Sequence, residues 1–124
     1  MNRRRESKAL KQIWDKASPP PIGNKLSGTW CIEMATGILP ALKCHRKSIW
    51  YTGLFNLGHN VIGFNWGEFK VYEKQGYSVL EYTRWPIKDE IKQVAEGLLL
   101  GKFYWRSKFR GYFWMTRVID DGKE

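Results

Sequence analysis

The stretch Gly28-Thr29-Trp30-Cys31-Ile32-Glu33-Met34 decides the fold once it is set beside Tyr112-Phe113-Trp114-Met115-Thr116-Arg117-Val118. Both alternate as strands do. Trp30, Ile32 and Met34 share one face of the first; Tyr112, Trp114 and Thr116 share one face of the second, with Phe113, Met115 and Arg117 on the other. One segment lies early in the chain and the other late. A small antiparallel barrel must close its first strand onto its last, and a Trp plugging the floor with a guanidinium stacked across its face would seal that closure. The pattern therefore predicts that Trp30 and Arg117 meet.

Working outward, strand-like runs rich in aromatic and β-branched residues occupy about 44–52, 61–73, 77–84, 98–105 and 111–118, separated by Gly or Asn turns. Gly53, Gly58, Gly63 and Gly67 crowd the approach to and the start of the second of these runs and predict bulges or sharp bends at barrel corners. Two helices are expected beside the strands. Leu10, Ile13, Trp14 and Ala17 follow the i, i+3, i+4, i+7 spacing of one helical face. Ser18-Pro19-Pro20-Pro21 then stops that helix, because proline lacks an N–H and biases its predecessor toward extended geometry. The second helix is read after Pro86: Asp89 and Glu90 suit its positive end, Ile87, Ile91, Val94 and Ala95 share a face, and Gly97 ends it. The predicted fold is mainly β, an antiparallel up-and-down barrel or strongly curled sheet of roughly six to eight strands with two short peripheral α-helices.

A chain of 124 residues has room for one core. The expected organisation is a basic amphipathic N-terminal helix over 1–18, a Pro-rich linker over 19–26, one barrel domain over 27–120 and a tail over 121–124. No apolar run approaches the roughly 18 residues that cross a bilayer. The Arg-rich start is not followed by the apolar stretch of a secretory signal, so a cytoplasmic protein is expected. Cys31 and Cys44 are the only cysteines, which excludes a disulfide framework; one bridge between them stays geometrically open, and buried free thiols are the favoured reading.

The net charge of +9 raises nucleic acid or anionic lipid as partners. More than half of it lies in residues 1–25, where seven Lys and Arg face Glu6 and Asp15. Peripheral membrane contact would therefore run through residues 3–17. Lys102, Arg106, Lys108 and Arg110 interleave with Phe103, Tyr104, Trp105 and Phe109, as on a surface that binds single-stranded nucleic acid. Strand alternation turns those aromatics mostly inward, which argues against that use.

The Gly28-Thr29-Trp30 opening with Arg117 in the last strand resembles the lipocalin and fatty-acid-binding (calycin) superfamily. The resemblance rests on those two anchors and implies a barrel that holds a hydrophobic ligand. The block from Pro86 to Gly101 is also similar to small bacterial domains of the Gly-x-Trp-x-Gly type, from which no activity carries over. In the calycin reading Arg117 has two roles open to it: a lid on Trp30, or an inward guanidinium for a ligand carboxylate.

The expected ligand is hydrophobic with an anionic end, such as a fatty acid, isoprenoid or tetrapyrrole. Trp50, Trp66, Tyr82, Trp105 and Trp114 are the candidate aromatic walls, with Trp30 and Arg117 of the floor completing the candidate binding set. His45, Arg46 and Lys47, in the most basic cluster of the body, are candidates for the anionic end. The apolar segment 35–42 is expected to cap the cavity mouth. A zinc site would want about four ligands at tight spacing, and none is visible. One imidazole, His45 or His59, suffices for a porphyrin, but a lone His does not call for heme, so no cofactor is predicted. The sequence offers no nucleophile with a base, paired carboxylates or phosphate-binding Gly loop. A binder is therefore preferred over its rivals: a cup-shaped isomerase or hydrolase using His59 or Glu81 as base, and an adaptor docking through the N-terminal helix.

Overall fold

The computed structural model describes residues 3–36, 45–62 and 64–118. Among them run a helix, α1 (Arg3–Lys16), a 3-10 turn (Gly23–Lys25) and eight strands: β1 (Gly28–Met34), β2 (Arg46–Tyr51), β3 (Asn56–Val61), β4 (Asn65–Glu73), β5 (Ser78–Tyr82), β6 (Ile87–Ala95), β7 (Leu98–Trp105) and β8 (Lys108–Arg117). Every strand pairs antiparallel with the next, and β1 pairs with β8, which closes an up-and-down barrel. In that closure Trp30 stands directly opposite Arg117.

The floor of the barrel is built around this pair. Trp30 is fully buried, and its indole Nε1 donates to the Leu26 carbonyl at 2.9 Å. Arg117 lies with its Cζ 4.3 Å from the Trp30 ring centroid and donates to the carbonyl of Ser27 at 2.8 Å and to that of Lys25. The guanidinium thus ties the 3-10 segment to the sheet while covering the indole. Gly28, at φ +129°, makes room for it: a Cβ there would stand 2.9 Å from the Arg117 guanidinium. Inside, Leu26, Ile32, Ile49, Phe69, Val71, Leu80, Ile91, Leu99 and Met115 fill the lower barrel.

A second apolar cluster lies outside the sheet. Leu10 and Trp14 of α1 pack on Leu100 and Tyr112, with Ala35, Tyr77 and Trp114 around them. The Lys92 ammonium donates to the Trp14 carbonyl at 3.0 Å near the helix C-terminus, where a cation suits the helix dipole, and Lys102 stands 4.6 Å over the Trp14 ring. Ser18 then exchanges backbone hydrogen bonds with Gln93 of β6, at 2.9 and 2.7 Å, and Pro20 is buried. The Pro-rich segment is docked on the barrel rather than strung between two bodies.

Two expectations about local structure are corrected. Residues 87–95 form strand β6, not a second helix. The spacing of Ile87 and Ile91, four apart, is shared by a helix face and a strand face, and the burial of Ile87, Asp89 and Ile91 at 6, 2 and 0% has the period of a strand. Asp89 faces inward instead of serving a helix end. Likewise 61–73 is not one strand: β3 ends at Val61 and β4 begins at Asn65. β3 escaped notice because its buried positions are Asn56, Gly58 and Asn60, which leave no apolar alternation. Cys31 is a free, exposed thiol and not a buried one. Cys44 and most of the predicted cap over 35–42 lie outside the described residues.

Candidate ligand cavity

Above the packed floor, at the opposite end of the barrel, the interior opens into a cavity of about 670 Å³. That size is within the usual range for small-molecule sites. Its wall is supplied strand by strand. Ile32 and Met34 of β1, Phe103 and Trp105 of β7 and Phe113 of β8 give one apolar side; Trp66, Trp85 and Ile87 give another. Trp66 and Trp85 meet edge to face with centroids 6.1 Å apart, and Trp85 is half exposed beside the mouth, in the β5–β6 connection.

Strand irregularities aim two of the lining residues. Gly58 pairs with Phe69 while Asn60 pairs with Trp66, so β4 carries an extra residue there. Gly67, at φ +64°, absorbs the bulge, and Trp66 turns inward although it is three residues from inward-facing Phe69. In β8, Tyr104 pairs with Phe109 and Phe103 with Gly111. The residue left over is Arg110, and it lines the cavity.

The polar part of the wall is a connected set of four buried side chains from four strands. The Lys47 ammonium donates to Asn60 Oδ1 at 2.7 Å and to the Tyr82 hydroxyl oxygen at 2.6 Å, and stands 3.3 Å from Asp89 Oδ2. Asn60 Nδ2 donates to the Tyr82 oxygen at 2.8 Å, and the Tyr82 O–H donates to Asp89 Oδ2 at 3.4 Å. The rings of Phe69 and Tyr82 lie 5.2 Å from the ammonium and add cation–π contact. Among the described residues Asp89 Oδ1 has no hydrogen-bond partner, and neither does His45 Nε2; both residues line the cavity.

Burial governs the protonation of this set. It pulls Lys47 down, against the Asp89 charge, and pushes Asp89 up, against the Lys47 charge. The Tyr82 phenol is held protonated, well above its usual range, by burial and by Asp89. Burial and the Lys47 charge lower His45 to about 4, so its imidazole is neutral at pH 7. Lys47 and Arg110 against Asp89 then leave the lining with one net positive charge. Among the described residues Arg110 has no carboxylate within ion-pair distance.

The candidate residues separate into groups. His45, Lys47, Trp66, Tyr82 and Trp105 line the cavity. Trp30 and Arg117 are at the floor, where Arg117 is committed to Trp30 and two carbonyls and does not point at the cavity. Arg46, Trp50 and Trp114 fall on the outer face: Arg46 and Trp50 alternate with inward Lys47 and Ile49, and Trp114 packs in the cluster under α1. Neither proposed base enters the cavity. His59 alternates outward in β3 with its ring 5.4 Å from that of Trp50, and Glu81 faces outward opposite Lys88, 3.8 Å away. Among the described residues no three His, Cys, Asp or Glu side chains gather as metal ligands.

Asn60, Trp85, Asp89 and Arg110 were missed as site residues. The glycines at 67 and 111, each next to a residue that turns inward, were the available signal for bulges, and only the first was read. No helix among the described residues is long and apolar enough to cross a membrane. No protein-family model, curated protein or solved structure matches this chain.

Proposed function

We propose that this barrel binds a small hydrophobic ligand with an anionic end, its apolar body along the aromatic wall and its charge beside Arg110. The observation that carries the reading is the 670 Å³ cavity, lined by Trp66, Trp85, Trp105, Phe103 and Phe113 with a single excess cation. Burying such a body releases water from aromatic surface, and a guanidinium with no carboxylate partner among the described residues supplies the charge complement. Fatty acids, isoprenoid acids and tetrapyrroles share this chemistry. The barrel closure through Trp30 and Arg117 supports a kinship with lipocalin and fatty-acid-binding barrels as part of the same proposal.

The adaptor alternative draws less support, because the apolar face of α1 is already spent on the barrel. The test is native mass spectrometry of freshly purified protein together with intrinsic fluorescence titrated with decanoate. A retained small molecule, or a saturable fluorescence change that Arg110→Gln weakens, is expected. Absence of both would overturn the reading.

A further inference from the structure

The quartet on the polar wall is more than a binding surface requires. A buried Lys–Asp pair yields no stability that an apolar pair of similar volume would not match, so placing one at a cavity wall is unexplained by folding alone. Lys47 and Asp89 are each 3% exposed at the side chain, in a cavity whose wall beyond the quartet, His45 and Arg110 is apolar. Among the described residues the other paired lysines lie at the surface or beside an aromatic ring outside the barrel.

We propose that Lys47 is a carbonyl-capturing amine, which binds aldehydes with an apolar tail as a Schiff base inside the barrel. The inference rests on the reading of the cavity as a small-molecule site and names a second ligand class for it. The geometry supplies each requirement of the step. Passage of one ammonium proton to Asp89 Oδ2, at 3.3 Å, frees the nitrogen lone pair. The opposed effects of burial on the two groups, Lys47 down and Asp89 up, ease that transfer. The amine then attacks the carbonyl carbon: an N–C bond forms, the carbonyl π bond breaks, and the oxygen takes the proton held on Asp89. The nitrogen of the resulting carbinolamine gives up a second proton to Asp89.

Loss of the hydroxyl, with that proton, releases one water and leaves the iminium. The ammonium and the aldehyde have become an iminium and water, with charge conserved and no oxidant or reductant consumed. Asp89 ends as carboxylate, the counter-ion of the iminium, and its unpartnered Oδ1 offers an acceptor for the new N–H. Tyr82, held as a neutral phenol 2.6 Å from the amine, is placed to donate to the carbonyl oxygen during attack. Asn60 Oδ1 holds the nitrogen in position.

The experiment is reductive trapping of the whole protein with decanal and sodium cyanoborohydride at pH 7, followed by intact mass and peptide mapping. The expected result is one dominant adduct, on Lys47, formed at least ~10-fold faster than on surface lysines, because the amine is oriented and desolvated. Lys47→Arg should lose that adduct while retaining its circular dichroism. Adducts confined to exposed lysines, or none, would overturn the inference, and the wild-type map decides this without any variant. Decanoate binding is measured in parallel: saturation by decanoate with Lys47 unlabelled sinks the capture step alone, whereas failure of decanoate to bind counts against the proposed function separately.

Discussion

Removing one member of the Lys47–Asp89 pair should be far worse than removing both. In Asp89→Leu the ammonium stays 3% exposed with only Asn60 and Tyr82 as neutral partners. An uncompensated buried charge of this kind costs about 3–5 kcal/mol. Lys47→Met leaves the Asp89 carboxylate with the Tyr82 hydroxyl alone and should cost a similar amount. The double variant strands no charge. It orphans Asn60 Oδ1 and the Tyr82 hydroxyl proton, at about 1–3 kcal/mol each, and recovers about 1–4 kcal/mol of desolvation. At the middle of these ranges the net loss is about 1.5 kcal/mol, against summed single losses of about 6–10 kcal/mol, so a coupling of at least ~3 kcal/mol is expected. Urea unfolding at pH 7, followed by tryptophan fluorescence, reads all four proteins, since a domain of this size has about 5–15 kcal/mol to lose. A pH series adds a sign. With Asp89 gone, Lys47 titrates lower in the folded state than in the unfolded one, so the unfolded chain binds more protons and the Asp89→Leu deficit shrinks as pH rises toward the unfolded value. Additive single effects, with coupling below about 1 kcal/mol, would refute the account of the pair.

Three further outcomes follow from the same geometry. Arg117→Met loses two charge-assisted bonds to carbonyls and the stack on Trp30, and should lower stability by about 2–4 kcal/mol in urea, with Arg117→Lys recovering less than half. Gly67→Ala puts a Cβ 3.0 Å from the Tyr82 ring and 3.1 Å from Asn60 Nδ2 at φ +64°, which should cost about 1–2 kcal/mol in thermal unfolding and shift the Tyr82 resonances. His45 has its folded value near 4 and its ordinary value at 6.5, so its neutral form contributes fully above 6.5 and is lost as pH falls toward 4. After allowance for its partial exposure, the margin of wild type over His45→Gln should narrow by about 1 kcal/mol across that window; a constant margin would contradict the burial of the imidazole.

The architecture was legible because its signals are strong and local. Alternation at 28–34 and 112–118 gave the closing strands, and a large indole facing a late arginine gave the floor. The error at 87–95 has a physical source: Ile87 and Ile91 satisfy both periods, and acidic residues after a proline imitate a helix start. Only the partner strands, pairing Asp89 with Leu80 and Phe103, impose the extended form. The cavity was half legible. Lys47, Tyr82 and Trp105 follow from simple alternation, whereas Trp66 and Arg110 depend on bulges that move a residue from one face to the other. The quartet could not be read at all, because it joins residues from β2, β3, β5 and β6 whose proximity exists only once the barrel closes.

The seven tryptophans divide the molecule cleanly, since Trp66, Trp85 and Trp105 line the cavity while Trp14, Trp30, Trp50 and Trp114 do not. Indole N–H resonances of ¹⁵N-labelled protein, followed through a titration with decanoate, therefore report directly on where a ligand sits. Saturable shifts in the first three, with the other four still, are the predicted result. Uniform shifts, none, or movement of Trp14 and Trp50 alone would contradict a ligand-binding interior.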